Sequence, residues 1–220
     1  MGYGGWEAGA IFTGSASTVI EFMSEKPKSK TYRAPSSLHY EFPMEDKDSR
    51  SKELILYIAH ECVDDPKFTK LKLFKILFYS DFESFGRYRA PITGMPYRKA
   101  PYGPAPANFS RLQEEMIRDR QISIVTRRVY DHSSQRLFPL TEPTFNFLSA
   151  RDIAVVNGWI RHFWGWTAKR VSEYSHGKAW TIAGDSELIP YESVFISDEP
   201  VTFEDVARAK ELAAKYGWKL

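Results

Sequence analysis

Residues 69–86 read TKLKLFKILFYSDFESFG, and the spacing of their apolar side chains decides the fold class. Leu71, Phe74, Phe78, Phe82 and Phe85 recur at helical intervals and form one stripe, while Leu73, Ile76 and Leu77 cover a second face. A helix that is apolar on most sides is a central one, packed by several neighbours. Its one polar stripe is Lys72, Lys75, Tyr79 and Glu83. Thr69, after Pro66, is placed to cap its start, and Gly86 to end it.

Outward from this helix the chain stays periodic. On the N-terminal side, Ile55, Ile58, Ala59 and Cys62 make one helical stripe. On the C-terminal side, Pro91, Gly94, Pro96, Pro101, Gly103 and Pro104 punctuate a loop over residues 87–104. A third helix follows, with Phe109, Leu112 and Met116 on one side. The β-branched run Ile122–Tyr130, a turn at Asp131–Ser134 and a return over Arg136–Leu140 predict a hairpin. Ser149 with Asp152 resembles an N-cap pair for a helix striped by Ile153, Val156, Ile160 and Phe163, with Gly165 as its stop. Thr167 caps a short helix through His176, and Thr202 with Asp205 caps a last one ended by Gly217. The expectation is a mainly α fold with a small β-hairpin (α+β). It would be one globular domain of five or six helices over residues 49–220.

Residues 1–48 read differently. They hold a Gly-rich start (Gly2, Gly4, Gly5, Gly9, Gly14), a polar run from Lys26 to Ser37 and a charged stretch from Glu45, with no sustained period. A flexible extension is expected here, and Met23 and Met44 are each a plausible start.

Composition bounds the function classes. Of 220 residues, 43% are hydrophobic and 26% charged, as in soluble globular proteins, and the net charge of +2 neither demands nor excludes nucleic acid. A single cysteine, Cys62, allows no intrachain disulfide and fits a reducing compartment. In its apolar run Cys62 reads as a small buried hydrophobe. No stretch of about 18 apolar residues predicts a membrane span, and the N-terminus lacks the pattern of a secretory signal. His39, His60, His132, His162 and His176 are scattered, so no metal site is expected, nor is a phosphate-binding loop.

Asp81 is the most informative single residue, because a carboxylate beside an aromatic stripe is costly unless it is paired or hydrogen-bonded. It is either a buried catalytic acid or an anchor for loop N–H groups around Pro91–Gly94; the anchor is the favoured reading. Ser172 and His176, four apart, would complete a hydrolase triad with Asp81, but no nucleophile-elbow glycines flank either serine. Against that, His176 can simply end a helix, with Trp180 packed beside it. Arg118, Arg120, Arg127, Arg128 and Arg136, interleaved with Tyr130 and Phe138, suggest a nucleic-acid-gripping hairpin, although Asp119 and Asp131 dilute the charge. Arg87, Tyr88, Arg89, Tyr97 and Tyr102 sit in the proline-rich loop and are the residue types that anchor protein interfaces.

The longer run TKLKLFKILFYSDFESFGRYRAPITGMPYRKAPYGPAPANFSRLQEEM, residues 69–116, resembles the Panacea domain of the SocA-like antitoxin family. Lys72, Leu73, Leu77, Tyr79 and Asp81 match its Lys-Leu helix ending in Tyr-x-Asp. Pro91–Gly94 match its Pro-Ile-Thr-Gly turn, and Tyr97, Gly103 and Pro104 a Tyr-x5-Gly-Pro segment. Ser175, His176 and Trp180 look like its later Ser-His and Trp element. The resemblance covers about residues 50–200 and leaves the N-terminal extension unmatched. It implies a cytoplasmic prokaryotic antitoxin, not an enzyme, without cofactor or metal. Its partner would be a cognate protein toxin encoded beside it, with a protease as a further partner if it acts as a proteolytic adaptor.

Overall fold

The computed structural model describes residues 38–129, 132–196 and 202–217. In chain order the elements are α1 (Lys47–Glu61), α2 (Lys70–Tyr88), β1 (Tyr97–Arg98), β2 (Ala105–Pro106), α3 (Phe109–Arg118), β3 (Ile122–Val129), β4 (His132–Pro139), α4 (Ala150–Phe163), α5 (Ala168–Tyr174), α6 (Lys178–Ile182), a 3-10 turn (Tyr191–Phe195) and α7 (Phe203–Tyr216). The protein is mainly α, with two small antiparallel ladders. Seven α-helices lie among the described residues, against the five or six expected: α6 carries no apolar stripe long enough to read.

α2 is the central helix. Leu73, Ile76 and Leu77 are wholly buried, Phe78, Phe82 and Phe85 nearly so, and α1, α4, α5 and the 3-10 turn pack around them. The Thr69 hydroxyl accepts the Lys72 N–H, as its cap position predicts. Gly86 does not end the helix. α2 runs on to Tyr88 and closes at Arg89, whose φ is 59° and whose N–H bonds the Phe85 carbonyl at 2.8 Å. Gly86 serves packing instead, since a Cβ there would come within 3.2 Å of Val194 on the 3-10 turn. Two members of the polar stripe, Lys72 and Lys75, are buried.

α1 buries every residue from Leu54 to Ala59, because α2, α3, α4 and β4 cover it from several sides. Cys62 is buried beside it. α3 presents Phe109, Leu112 and Met116 to the core. The hairpin register runs from Ile122↔Pro139 to Val129↔His132, so Ser133 and Ser134 are strand rather than turn. Tyr130 and Asp131 lie outside the described residues. α4 opens with the full Ser149–Asp152 capping box and α7 with the Thr202–Asp205 box, and α7 is ended by Gly217 at φ 68°. α5 starts at its Thr167 cap but stops at Tyr174, two residues short of His176.

The Gly-rich start, Met23 and the Lys26–Ser37 run lie outside the described residues. Residues 38–48, read with them as an extension, pack on the domain. The Phe42 N–H donates to the Gly94 carbonyl at 3.1 Å, the His39 carbonyl accepts from the Tyr191 N–H at 2.8 Å, and the Phe42 ring meets Phe85 and Tyr191. None of the described helices is long and apolar enough to cross a membrane.

Candidate functional site

α2 turns three charged side chains inward, and each fastens a different loop. Lys72 Nζ lies 2.6 Å from Asp65 Oδ2, and Asp65 Oδ1 accepts the Lys67 N–H at 2.9 Å, which closes the α1–α2 connection. One turn on, Lys75 Nζ donates to the Pro104 carbonyl at 2.7 Å. Asp81 accepts the Thr93 N–H at 2.7 Å, the Thr93 hydroxyl at 2.5 Å and the Tyr97 hydroxyl at 2.7 Å. Burial is the largest influence on these groups. It raises Asp81 to about 6 despite its three donors, and lowers Lys75 to about 7.

The 91–106 loop is gripped equally from its far side. Trp180 Nε1 donates to the Ala100 carbonyl at 3.0 Å, and the His176 ring stacks on Trp180 at 4.1 Å. Lys99 Nζ stands 4.4 Å over the same indole and donates to the Ala183 carbonyl. Burial, followed by the charge of Lys75, holds the His176 imidazole below its usual range. Gly103, at φ 92°, is in contact with Ser175: a Cβ would meet Ser175 Oγ at 2.0 Å and Lys75 Nζ at 2.9 Å. Gly94, at φ 68°, meets Phe42. Residues 187–191 finish the clamp, with Lys99 N–H on the Glu187 carbonyl, Ile189 N–H on the Tyr97 carbonyl and Tyr191 hydroxyl on the Met95 carbonyl.

The early motif residues Asp81, Gly94, Gly103 and Pro104 thus meet the late ones, Ser175, His176 and Trp180, around one loop, while the motif lysine, Lys72, is committed to Asp65 and it is Lys75 that reaches the loop. Tyr79 joins them through its hydroxyl, 3.3 Å from the Tyr174 carbonyl. Many of the loop's backbone groups have fixed partners: the Thr93 and Lys99 N–H groups and the Met95, Tyr97, Ala100 and Pro104 carbonyls are all hydrogen-bonded, so the arrangement is a stiff support. Asp81, Ser172 and His176 do not form a triad. The Asp81 carboxylate is occupied by Thr93 and Tyr97, and no hydrogen bond joins the three among the described residues. Nor does any group of three His, Cys, Asp or Glu among the described residues stand where it could hold a metal ion.

The interface candidates are divided by the fold. Tyr97 is wholly buried, its hydroxyl committed to Asp81, so it offers a partner no surface. Tyr102 is the most exposed of the three tyrosines, at 67%. Tyr88 is exposed under the Arg151 guanidinium, Arg87 pairs with Glu83 at 2.7 Å, and Arg89 lies 4.1 Å over the Phe195 ring. Gly103, next to Tyr102 in the chain, lies at Lys75 while Tyr88 ends α2, so at 1.5 Å per residue about 20 Å of helix separates the points where the two patches attach. In the arginine hairpin, Arg136 is structural: it donates to the Asp65 and Val63 carbonyls at 2.9 and 2.5 Å and lies against Phe68 and Phe138. Arg118, Arg120, Arg127 and Arg128 stay exposed.

Such a fold defines a mainly helical domain that holds a proline-rich loop against its central helix. Residues 73–181 match the family described as antitoxin SocA-like, Panacea domain, a span that holds most of the clamp, leaves out residues 187–191 and ends one residue after Trp180. The chain carries a Panacea domain, and with it a toxin–antitoxin-related role. No curated protein matches the chain.

Proposed function

We propose that this protein is the antitoxin of a toxin–antitoxin pair and neutralises a cognate protein toxin by stoichiometric contact, without turnover and without a cofactor. The pre-formed 91–106 loop carries this reading beyond the family match. Lys75, Asp81 and Trp180 order it before any partner arrives, which lowers the entropic cost of binding. Tyr102 at the loop, with Arg87, Tyr88 and Arg89 at the end of α2, are the contact residues of this reading. The partner would be the product of an adjacent gene, met in the cytoplasm, and the complex could in turn be handed to a protease.

The exposed Arg118, Arg120, Arg127 and Arg128 favour a second reading, a nucleic-acid-binding regulator. Co-expression with the neighbouring gene product separates the two. The antitoxin reading expects that product to be toxic alone, growth to be rescued by this protein, and the pair to co-elute. A harmless neighbour that does not co-elute, together with salt-sensitive retention of this protein on DNA or RNA, would reverse the choice.

A further inference from the structure

The outer side of α4 and α5 carries more aromatic surface than the core needs. Phe163 is wholly buried and closes the core, yet the rings continue outward. Trp159 stacks on Tyr79 at 4.4 Å, and His162 packs against Trp159, Trp166 and Tyr174 at 5.1 to 5.4 Å. Trp164 and Tyr174 are each 44% exposed. Among Trp159, His162, Trp166 and Tyr174 ring packs ring, so this cluster is set before anything binds, and Trp164 follows it at the end of α4.

Its charge is mostly positive. Arg151, Arg161, Lys169 and Arg170 face solvent, and the only acid these two helices expose is Glu173, 3.9 Å from Lys169. Arg170 lies 3.7 Å over the Trp166 ring, and Arg151 lies 4.5 Å over Tyr88. Trp, Tyr and Arg are the side chains that concentrate binding energy, and this face offers Trp164 and Tyr174 exposed and Arg170 stacked on the half-buried Trp166. The cationic rim selects what can sit there, because complementary potential steers the right partner and a like-charged one is repelled.

We infer that the α4–α5 face is a docking surface for an acidic segment of a protein partner, with Trp164, Tyr174 and Arg170 as its anchors. This rests on the antitoxin reading only in taking the toxin as that partner. The competing occupants are a single-stranded nucleic acid, which could stack on the same rings, and a second copy of this chain.

The test uses the full chain and two readouts. First, fluorescein-labelled deca-glutamate is titrated against wild type, Arg170→Glu, Trp164→Ala and an Arg127→Glu/Arg128→Glu control, with thermal melting confirming that each is folded. The expected result is salt-sensitive binding, weakened at least fivefold by Arg170→Glu and by Trp164→Ala and unchanged in the hairpin control. Second, the same variants are co-expressed with the neighbouring gene product. Rescue by wild type but not by Arg170→Glu supports the surface as the toxin's seat. Equal rescue by wild type and both α4–α5 variants overturns that assignment and leaves the antitoxin reading standing. Peptide binding lost in the variants, with no rescue even by wild type, supports the acidic-partner surface while the antitoxin reading fails. Deca-thymidylate binding as tightly as the peptide, or a dimer that Arg170→Glu dissolves, overturns the acidic segment as occupant.

Discussion

The Lys72 ammonium and the Asp65 carboxylate meet at 2.6 Å with each side chain only 1% exposed, so α2 is tied to its own leading loop by a charge pair removed from water. Breaking such a pair from one side leaves a buried charge uncompensated, which costs about 3–5 kcal/mol. Lys72→Met should destabilise the protein by that order in urea unfolding. Adding Asp65→Asn should recover part of the loss, because the remaining group is then neutral. A Lys72→Met protein as stable as wild type would show that the pair contributes nothing.

Lys75 gives a pH signature. Its folded value, near 7, lies well below the ordinary lysine range because the ammonium is buried against one carbonyl. Below about pH 7 the folded and unfolded chains both carry the proton, and the cost of burying the charge is fully present. From there toward the unfolded lysine value the unfolded chain binds more protons, so this residue's contribution makes stability rise with pH. The slope of unfolding free energy between pH 7 and 9.5 should become less positive in Lys75→Met. Identical slopes in the two proteins would refute it.

Asp81 titrates with the opposite sign. Burial raises it to about 6 from an unfolded value near 4, so its contribution to stability falls as pH rises through that window. Asp81→Asn removes the titration but offers fewer acceptors to Thr93 and Tyr97, and each buried donor left unmet costs about 1–3 kcal/mol. The expected outcome is a destabilised protein with altered protection of the Thr93 and Met95 amides in hydrogen exchange. An intact, equally stable fold with selective loss of function would contradict the anchoring role.

Tyr97→Phe isolates one of those bonds. Loss of its hydroxyl from Asp81 should cost about 1 kcal/mol in chemical denaturation. Toxin rescue should persist while the fold does, because the ring lies inside the protein. Loss of rescue at unchanged stability would argue for direct contact after all.

Gly103 tests the join between the two halves of the clamp. Gly103→Ala puts a Cβ 2.0 Å from Ser175 Oγ in a backbone of φ 92°, so it should lower the melting temperature. Ser175→Ala in the same chain should return only part of the loss, since the backbone strain remains. Full recovery would mean that crowding against Ser175 is the whole effect.

Much of this was legible because it is local. Thr69, the Ser149–Asp152 pair, Thr167 and the Thr202–Asp205 pair cap helices as their positions predict, since a cap needs only a side-chain oxygen and an N–H two or three residues on. The α2 stripes, the hairpin and the motif blocks that mark the Panacea domain were readable for the same reason: each is written in one stretch of chain. What only the tertiary structure decided depends on residues far apart. Lys75 is buried because the Pro104 carbonyl, 29 positions on, receives it, and Trp180 is fixed by the Ala100 carbonyl, 80 positions back. A backbone carbonyl has the same chemistry in every residue, so no side-chain pattern announces it as a partner. The same holds for Tyr97, whose sequence suits an interface and whose burial against Asp81 removes it from one, and for the α4–α5 face, where rings from three helices become one surface only when the chain is folded.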